Sequence, residues 1–231
     1  MNEIFTTIRN GLIVSCQAEG DSPFNSPDGV TLFARSAVNG GAVAIRTEGV
    51  EKTSSIIKAV TVPVIGLVKS YFDDGFVRIT GSFKDVEDLA GIGTHIIAID
   101  GTFRKREGFS GPEFIAQAKS RYGCIIMADI ATEQEALACA QAGADCISTT
   151  LSGYTPETKH SHDGPDFDLL KKLASTLSIP VIAEGRVNTP ALASQMMSLG
   201  AWSIVVGSAI TRPTEITKWF VESIARSTST R

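Results

Sequence analysis

Two charged residues end long apolar runs, where they could exchange protons with a ligand. Lys69 ends the run VIGLVK, and Glu184 ends the run PVIAE. Burial favours the neutral form of an amine, so Lys69 could act as a base or form a Schiff base; alternatively, its stem packs on the protein and its head reaches water. Glu184 could act as an acid, accept a hydrogen bond from a sugar hydroxyl, or pair with Lys69. These two residues are the candidate catalytic groups.

Other polar side chains stand at the ends of further apolar runs. Gln17 follows the first run, Arg46 ends the second, and Asp129 lies near the end of the fifth. Charged groups are rarely buried unless they are paired, so several of them at neighbouring strand ends indicate a polar, ligand-sized site. Asp129 could instead cap the helix that begins near Thr132.

A pattern of glycines and arginines near the C-terminus is typical of a phosphate site. Gly185 and Arg186 follow PVIAE, while Gly207 and Ser208 begin a short helical turn that leads to Arg212. Backbone N–H groups at such turns, together with the positive end of a helix dipole, bind anions, and arginine pairs with their charge. The alternative is that the glycines only make tight turns.

The sequence predicts neither a metal nor an organic cofactor. His160 and His162 have only Asp163 beside them, and the remaining histidine, His95, begins a strand at the opposite end of the predicted fold. No GxGxxG motif follows the first apolar run, so a dinucleotide is not expected. The four cysteines lack metal-ligand spacing and indicate a reduced, cytosolic protein.

Composition excludes several classes of function. The chain has 231 residues, of which 43% are hydrophobic and 20% charged, as in ordinary globular proteins. Its net charge of −4 gives no basic face for nucleic acid. No apolar run approaches the ~18 residues of a membrane span, and no signal peptide precedes the first run. We therefore expect a cytoplasmic protein with no nucleic-acid or membrane partner.

Eight apolar, β-branched runs begin about 27 residues apart, the spacing of a strand followed by a crossover helix. They span residues 12–16, 42–46, 64–69, 95–100, 124–130, 146–150, 180–184 and 203–207. Continuous apolar strands are typical of a parallel sheet buried on both faces, and helix signals such as a capping box at Thr132 and Glu135 lie between them. The pattern predicts a single (β/α)8 barrel, a TIM barrel, over residues 1–231; an open doubly wound sheet is the alternative.

Two long segments, 70–81 and 151–165, are predicted to be loops that cover or bind a ligand, because they follow the third and sixth strands. Trp202, Trp219 and Phe220 could form the face of a homodimer, although packing within the chain would explain them equally well.

These motifs together resemble the N-acetylmannosamine-6-phosphate 2-epimerase family. GLIVSCQ, AVAIRTEG, PVIGLVK, HIIAIDGT, MADIAT, SGYT, PVIAEGR and VVGSAIT occur in that order along nearly the whole chain. The resemblance implies a ribulose-phosphate-binding-type barrel that interconverts N-acetylmannosamine 6-phosphate and N-acetylglucosamine 6-phosphate in sialic-acid breakdown. It implies that Lys69 is the base and that Glu184 lies across the reacting carbon. The residues it places on the sugar and its phosphate are Gln17, Arg46, Asp129 and Arg212.

Such an epimerisation would proceed through the ring-opened sugar, because the proton at carbon 2 is acidic only beside a carbonyl. Glu184, Lys69 itself or a substrate hydroxyl could return the proton. A Schiff-base lyase on the same type of barrel and a non-catalytic phosphosugar-binding barrel remain the alternatives.

Overall fold

Eight parallel strands close into a barrel in the computed structural model, which describes residues 2–159 and 164–228. The barrel strands are β1 (Leu12–Ser15), β2 (Ala44–Glu48), β3 (Val64–Leu67), β6 (Ile96–Asp100), β7 (Ile126–Asp129), β8 (Cys146–Ser148), β9 (Val181–Ala183) and β10 (Ser203–Val206), and an antiparallel hairpin of β4 (Lys69–Tyr71) and β5 (Val77–Ile79) follows β3. Around the barrel the order is β1-β10-β9-β8-β7-β6-β3-β2. The predicted (β/α)8 barrel is confirmed, and the open sheet is excluded.

Helices alternate with the barrel strands, as the capping signals predict. They are α1 (Glu3–Ile8), α2 (Pro27–Asn39), α3 (Val50–Ala59), α4 (Phe83–Gly91), α5 (Gly111–Tyr122), α6 (Glu133–Gln141), α7 (Phe167–Thr176), α8 (Pro190–Ser198), α9 (Ser208–Thr211) and α10 (Pro213–Thr228). Thr132 and Glu135 form the predicted capping box of α6. None of the helices within the described ranges is long and apolar enough to cross a membrane.

One end of the barrel is closed by apolar packing. Phe5 and Ile8 of α1 are buried against the side chains that fill the barrel interior, among them Ile65 and Met127. A second apolar layer lies between the strands and the surrounding helices. The amino end of the barrel interior is filled in this way, and barrels of this type bind their ligands at the carboxyl ends of the strands.

The prediction that residues 70–81 form a loop is wrong as regards their secondary structure. β4 and β5 form a hairpin there, and Lys69 is the first residue of β4 rather than the last residue of a barrel strand. Gly75 has φ of +79° in the turn between the two strands. At the base of the hairpin, the Thr80 hydroxyl donates to the Ala98 carbonyl of β6 at 2.6 Å. This bond fixes the hairpin to the barrel wall, so the hairpin stands over the carboxyl ends of the strands.

Candidate active site

A cavity of about 580 Å³ opens at the carboxyl ends of the barrel strands. The hairpin, the segment after β8 and Trp219 of α10 contribute to its lining. Nine of the ten predicted site residues line it, namely Gln17, Arg46, Lys69, Glu184, Gly185, Arg186, Gly207, Ser208 and Arg212. Asp129 lies directly behind Arg46. The barrel thus brings together residues that are far apart in the sequence.

Arg46 and Asp129 form a buried pair at the floor of the cavity. Both Nη atoms of Arg46 donate to the Asp129 carboxylate, at 3.1 and 2.6 Å. The side chains are 1% and 0% exposed, which fixes the guanidinium in one orientation. Asp129 therefore does not cap α6, a position that Thr132 fills.

Thr150 connects this pair to Glu184. Its hydroxyl oxygen lies 2.8 Å from Asp129 Oδ1 and 3.0 Å from Glu184 Oε2. A hydroxyl has one proton, so it can donate to only one carboxylate at a time. The carboxyl that does not accept the Thr150 proton makes a favourable contact only if it is itself protonated and donates a hydrogen bond to the Thr150 oxygen. Because Arg46 binds Asp129 through two hydrogen bonds, the arrangement favours an ionised Asp129 and a protonated Glu184.

The surroundings of Glu184 support this distribution of charge. Burial raises the pKa of both carboxyls; at Asp129 the charge and hydrogen bonds of Arg46 oppose the rise, whereas at Glu184 Arg46 and Lys69 oppose it through their charges alone. Arg46 Nη1 lies 3.4 Å from Glu184 Oε2. A carboxyl that keeps its proton to higher pH can serve as a general acid in a cavity of this kind.

Lys69 extends into the cavity from the hairpin and pairs with Glu19. The prediction had offered Glu184 as its partner, but the Lys69 amine donates to Glu19 instead. The side chain of Lys69 is 23% exposed and is therefore partly buried.

Three of the predicted phosphate residues, Gly207, Ser208 and Arg212, lie around the short helix α9. Gly207 precedes α9, which begins at Ser208, and Arg212 follows this helix. The Thr211 hydroxyl donates to the Ser15 carbonyl at 2.6 Å, so α9 is fixed to the end of β1. Arg212 Nη2 donates to Glu19 Oε1 at 3.3 Å.

Arg186 is used to build the rim. Its Nε donates to the Gly164 carbonyl at 2.7 Å and its Nη1 to the Ser152 carbonyl at 3.1 Å, while its guanidinium lies 5.0 Å from the ring centre of Tyr154. The backbone at Gly185 has φ of +110°, a conformation that favours glycine, and this turn directs Arg186 toward the segment after β8. Its side chain therefore holds the segment after β8 at the rim of the cavity.

The three basic residues of the run Arg104-Lys105-Arg106 have different environments. Arg106 is buried and donates to the carboxylate and carbonyl of Asp100. Arg104 lines the cavity but also donates to Asp100, at 2.8 Å, and Lys105 is exposed. Asp100 thus anchors the segment after β6 rather than contacting a ligand.

Sequence reasoning missed Glu19 as a site residue and did not select Thr150. Thr150 carries the same signal as the other site residues, because it ends the sixth predicted strand. Glu19 gives no such signal, since it lies two residues beyond Gln17 in a segment that reads as an ordinary surface loop.

Metal-binding geometry is absent from residues 2–159 and 164–228, which hold no group of three or more His, Cys, Asp or Glu side chains that could bind an ion. His160, His162 and Asp163 lie outside the described residues. His95 Nδ1 accepts from the Val64 N–H at 3.2 Å, at the closed end of the barrel.

Comparison with known proteins gives one consistent family. The family described as "Putative N-acetylmannosamine-6-phosphate epimerase" matches residues 30–226. Curated relatives described as "Putative N-acetylmannosamine-6-phosphate 2-epimerase" include one from Clostridioides difficile (strain 630), 45% identical over 94% of this chain and 97% of its own, and one from Shigella dysenteriae serotype 1, 48% identical over 91% and 90%.

Among solved structures, one similar protein has the same family name. The N-acetylmannosamine-6-phosphate 2-epimerase from Clostridium perfringens is 42% identical, with a TM-score of 0.89 over 95% of both chains. A thiamine phosphate pyrophosphorylase from Pyrococcus furiosus, with a TM-score of 0.62 and 19% identity over 91% of this chain and 90% of its own, shares the barrel fold alone.

Proposed function

This chain belongs to the N-acetylmannosamine-6-phosphate epimerase family, and we propose that its cavity interconverts N-acetylmannosamine 6-phosphate and N-acetylglucosamine 6-phosphate at carbon 2. The observation that carries the proposal is the placement of an amine, Lys69, and a carboxyl that is only 15% exposed, Glu184, in one cavity. Epimerisation removes a proton from one face of a carbon and returns one to the other face, which two such groups can accomplish.

The phosphate end of the substrate lies against Gly185, Gly207, Ser208 and Arg212 in this proposal. The first N–H groups of a helix have no partners inside the helix, so those at the start of α9 can donate to phosphate oxygens. Arg212 adds a charge-assisted hydrogen bond. Gln17, whose amide donates to Ser15 Oγ at 2.9 Å, lines the same cavity, and we assign it to the sugar.

The chemical step begins with the ring-opened sugar, in which carbon 1 is an aldehyde. Lys69, as the neutral amine, takes the proton from carbon 2; the electron pair of that C–H bond forms a double bond between carbons 1 and 2, and the aldehyde oxygen becomes the oxygen of a 2-acetamido enolate. Arg46, held by Asp129, provides the positive charge that stabilises this oxygen. Glu184 then gives its proton to carbon 2 from the opposite face, which restores the aldehyde.

No electron leaves the sugar in this sequence, so the proposed step requires no redox cofactor. Each turnover shifts one proton to Lys69 and one from Glu184, and the two residues return to their starting states by exchange with water or by catalysing the reverse reaction. We assign the catalytic roles to Lys69 and Glu184 and the binding roles to the residues around them.

Proton NMR in deuterated water tests the proposal. The protein is mixed with N-acetylmannosamine 6-phosphate without added metal or nucleotide. We expect N-acetylglucosamine 6-phosphate to appear with deuterium at carbon 2. Binding without product or exchange would overturn the assigned chemistry, and a borohydride-trapped adduct on Lys69 would indicate a Schiff-base enzyme instead.

We also propose that the protein is a single-domain, cytoplasmic homodimer. The support for a reducing compartment is the set of four cysteines, all of which have free thiols. Support for a dimer comes from α10, on which Phe220 is 67% and Val221 59% exposed, whereas the Trp202 indole donates to the Phe5 carbonyl within the chain. Sedimentation equilibrium of the protein and of Phe220→Glu should give the dimer mass and a smaller mass, respectively; equal masses would contradict this interface.

A further inference from the structure

One carboxylate connects the two halves of the proposed site. Glu19 Oε1 accepts from both the Lys69 amine and the Arg212 guanidinium, the latter at 3.3 Å. The base and the phosphate-binding arginine thus share a single oxygen atom. Burial alone would raise the pKa of Glu19, but the hydrogen bond and charge of Lys69 and the charge of Arg212 hold that pKa below its ordinary value.

The backbone maintains this contact. Lys52 Nζ donates to the Ala18 carbonyl at 3.1 Å, which holds the segment that carries Glu19. On the other side, the Thr211 hydroxyl bonds the Ser15 carbonyl, which keeps Arg212 next to the end of β1. Glu19 and Arg212 are therefore neighbours because two backbone segments are joined, and not only because two long side chains meet.

A phosphate on Arg212 would compete with Glu19. The phosphate carries up to two negative charges and needs the same guanidinium, so like charges would be forced together if Glu19 stayed in place. Glu19 is 38% exposed, so its side chain already borders water. Phosphate bound to Arg212 would therefore weaken the bridge of Glu19, by charge repulsion and by competition for the guanidinium.

The bridge also affects Lys69. An ammonium group paired with a carboxylate has no lone pair with which to accept a proton from carbon, so Lys69 must leave this pair and give a proton to water before it can act as the base. Displacement of Glu19 from Arg212 removes one of the two contacts that hold the carboxylate over the amine.

We propose that Glu19 makes the reaction depend on the phosphate of the substrate: the phosphate replaces Glu19 on Arg212, and this displacement releases Lys69. Glu19 is then a specificity-determining residue that holds the site inactive until a phosphorylated sugar binds. The inference rests on the proposed function for the role of Lys69, but the exchange of anions at Arg212 is independent of it.

Titration with inorganic phosphate tests the exchange of Glu19 for phosphate at Arg212 and does not depend on catalytic activity. Isothermal titration calorimetry would compare the protein, Glu19→Gln, and Asp21→Asn, which removes the same charge from an exposed neighbour outside the bridge. We expect Glu19→Gln to bind phosphate about tenfold more tightly and Asp21→Asn to change the affinity less than about twofold. Equal changes in the two variants, or no gain in Glu19→Gln, would overturn the proposal.

Unphosphorylated N-acetylmannosamine tests the release of Lys69. Its deuterium exchange at carbon 2 should be accelerated by added inorganic phosphate in the unmodified protein, since the anion would displace Glu19. In Glu19→Gln the exchange should already be faster, by about tenfold, and phosphate should add little. Failure of phosphate to accelerate exchange in the unmodified protein would overturn the dependence on Glu19.

The two proposals can fail separately. If the unmodified protein does not exchange deuterium even into the 6-phosphate, the epimerase chemistry is wrong, whatever the titration shows. If it does exchange, and the ratio of rates for phosphorylated and unphosphorylated sugar is the same in Glu19→Gln, the epimerase stands and Glu19 is not its specificity residue. Equal melting temperatures of the variants would confirm that the comparison is between folded proteins.

Discussion

Arg46 and Lys69 are two cations of the same cavity, but the protein holds them differently. Arg46 is 1% exposed, pairs with Asp129 through two hydrogen bonds and lies 3.4 Å from Glu184. Lys69 is 23% exposed and pairs with Glu19, which also binds Arg212. The first cluster, the inner cluster, consists of Arg46, Asp129, Thr150 and Glu184. The second, the outer cluster, consists of Lys69, Glu19 and Arg212.

The difference shows how one site can be both rigid and responsive. Arg46 and Asp129 of the inner cluster are almost completely shielded from water, so removal of one leaves the charge of the other unpaired in a medium that solvates it poorly. The outer cluster keeps water access, so its ion pairs contribute little to stability and can be exchanged for a ligand. A ligand can thus rearrange the outer cluster, while the inner cluster keeps its geometry.

Replacement of the outer lysine should have the largest effect on the reaction. Lys69→Met keeps the length of the side chain but removes the amine, and we expect the rate of deuterium incorporation to fall by roughly a thousandfold or more. The thermal midpoint should hardly change, because the ion pair it loses is partly exposed. Lys84→Met, which replaces an exposed lysine on α4, is the control and should keep full activity. Retained activity in Lys69→Met would exclude this residue as the base.

Disruption of the inner pair should have the largest effect on stability. Asp129→Asn leaves Arg46 without its bidentate carboxylate, and we expect the free energy of unfolding to fall by about 3 to 5 kcal/mol in urea denaturation. Glu215→Gln breaks an exposed pair with Lys218 on α10 and should cost less than about 1 kcal/mol. A cost near 1 kcal/mol for Asp129→Asn would mean that ionised Glu184 replaces Asp129 as the counter-charge.

The hydroxyl of Thr150 distinguishes packing from hydrogen bonding in the inner cluster. Thr150→Val keeps the shape but removes the bonds to Asp129 and Glu184, so we expect the turnover rate to fall by about 10- to 100-fold. Thr150→Ser keeps the hydroxyl and should stay within about threefold of the parent rate. If both variants lose the same activity, the methyl group rather than the hydroxyl is what the site requires.

The two clusters should respond to pH with opposite signs. Burial raises the pKa of Glu184, so the folded protein keeps a proton that the unfolded chain releases, and its stability falls as pH rises from the ordinary glutamate value through the raised one. Glu184→Gln cannot ionise. We therefore expect thermal unfolding at several pH values to show that the stability of this variant, relative to the parent, increases by about 1 kcal/mol as the pH rises.

Glu19→Gln provides the opposite case. The pKa of Glu19 is lowered, so its contribution is present above the ordinary glutamate value and lost as pH falls through the lowered one. This variant should be slightly less stable than the parent at neutral pH, by a few tenths of a kcal/mol because water screens the pair, and equal to it in acid. Parallel pH profiles for the two variants would contradict the distinction between the clusters.

Most of the site could be read from the sequence because of one structural rule. In a parallel barrel the carboxyl ends of the strands meet, so a polar residue that ends an apolar run faces the cavity; Arg46, Asp129 and Glu184 follow this rule. The rule could not find the partner of Lys69, since Glu19 lies beyond the strand end. Nor could it find the hairpin, whose strands are short, partly polar and paired only with each other.

The sequence by itself determined the alternation of strands and helices, the ends of several helices and the residue types at the cavity, because these depend on local periodicity and capping. Only the tertiary structure decided which charges meet. Closure of the barrel brings Arg46 of β2 against Asp129 of β7, a separation of 83 residues, and places Glu19 between Lys69 and Arg212. Charge pairing depends on distances of a few ångströms between distant segments, and no local pattern encodes those distances.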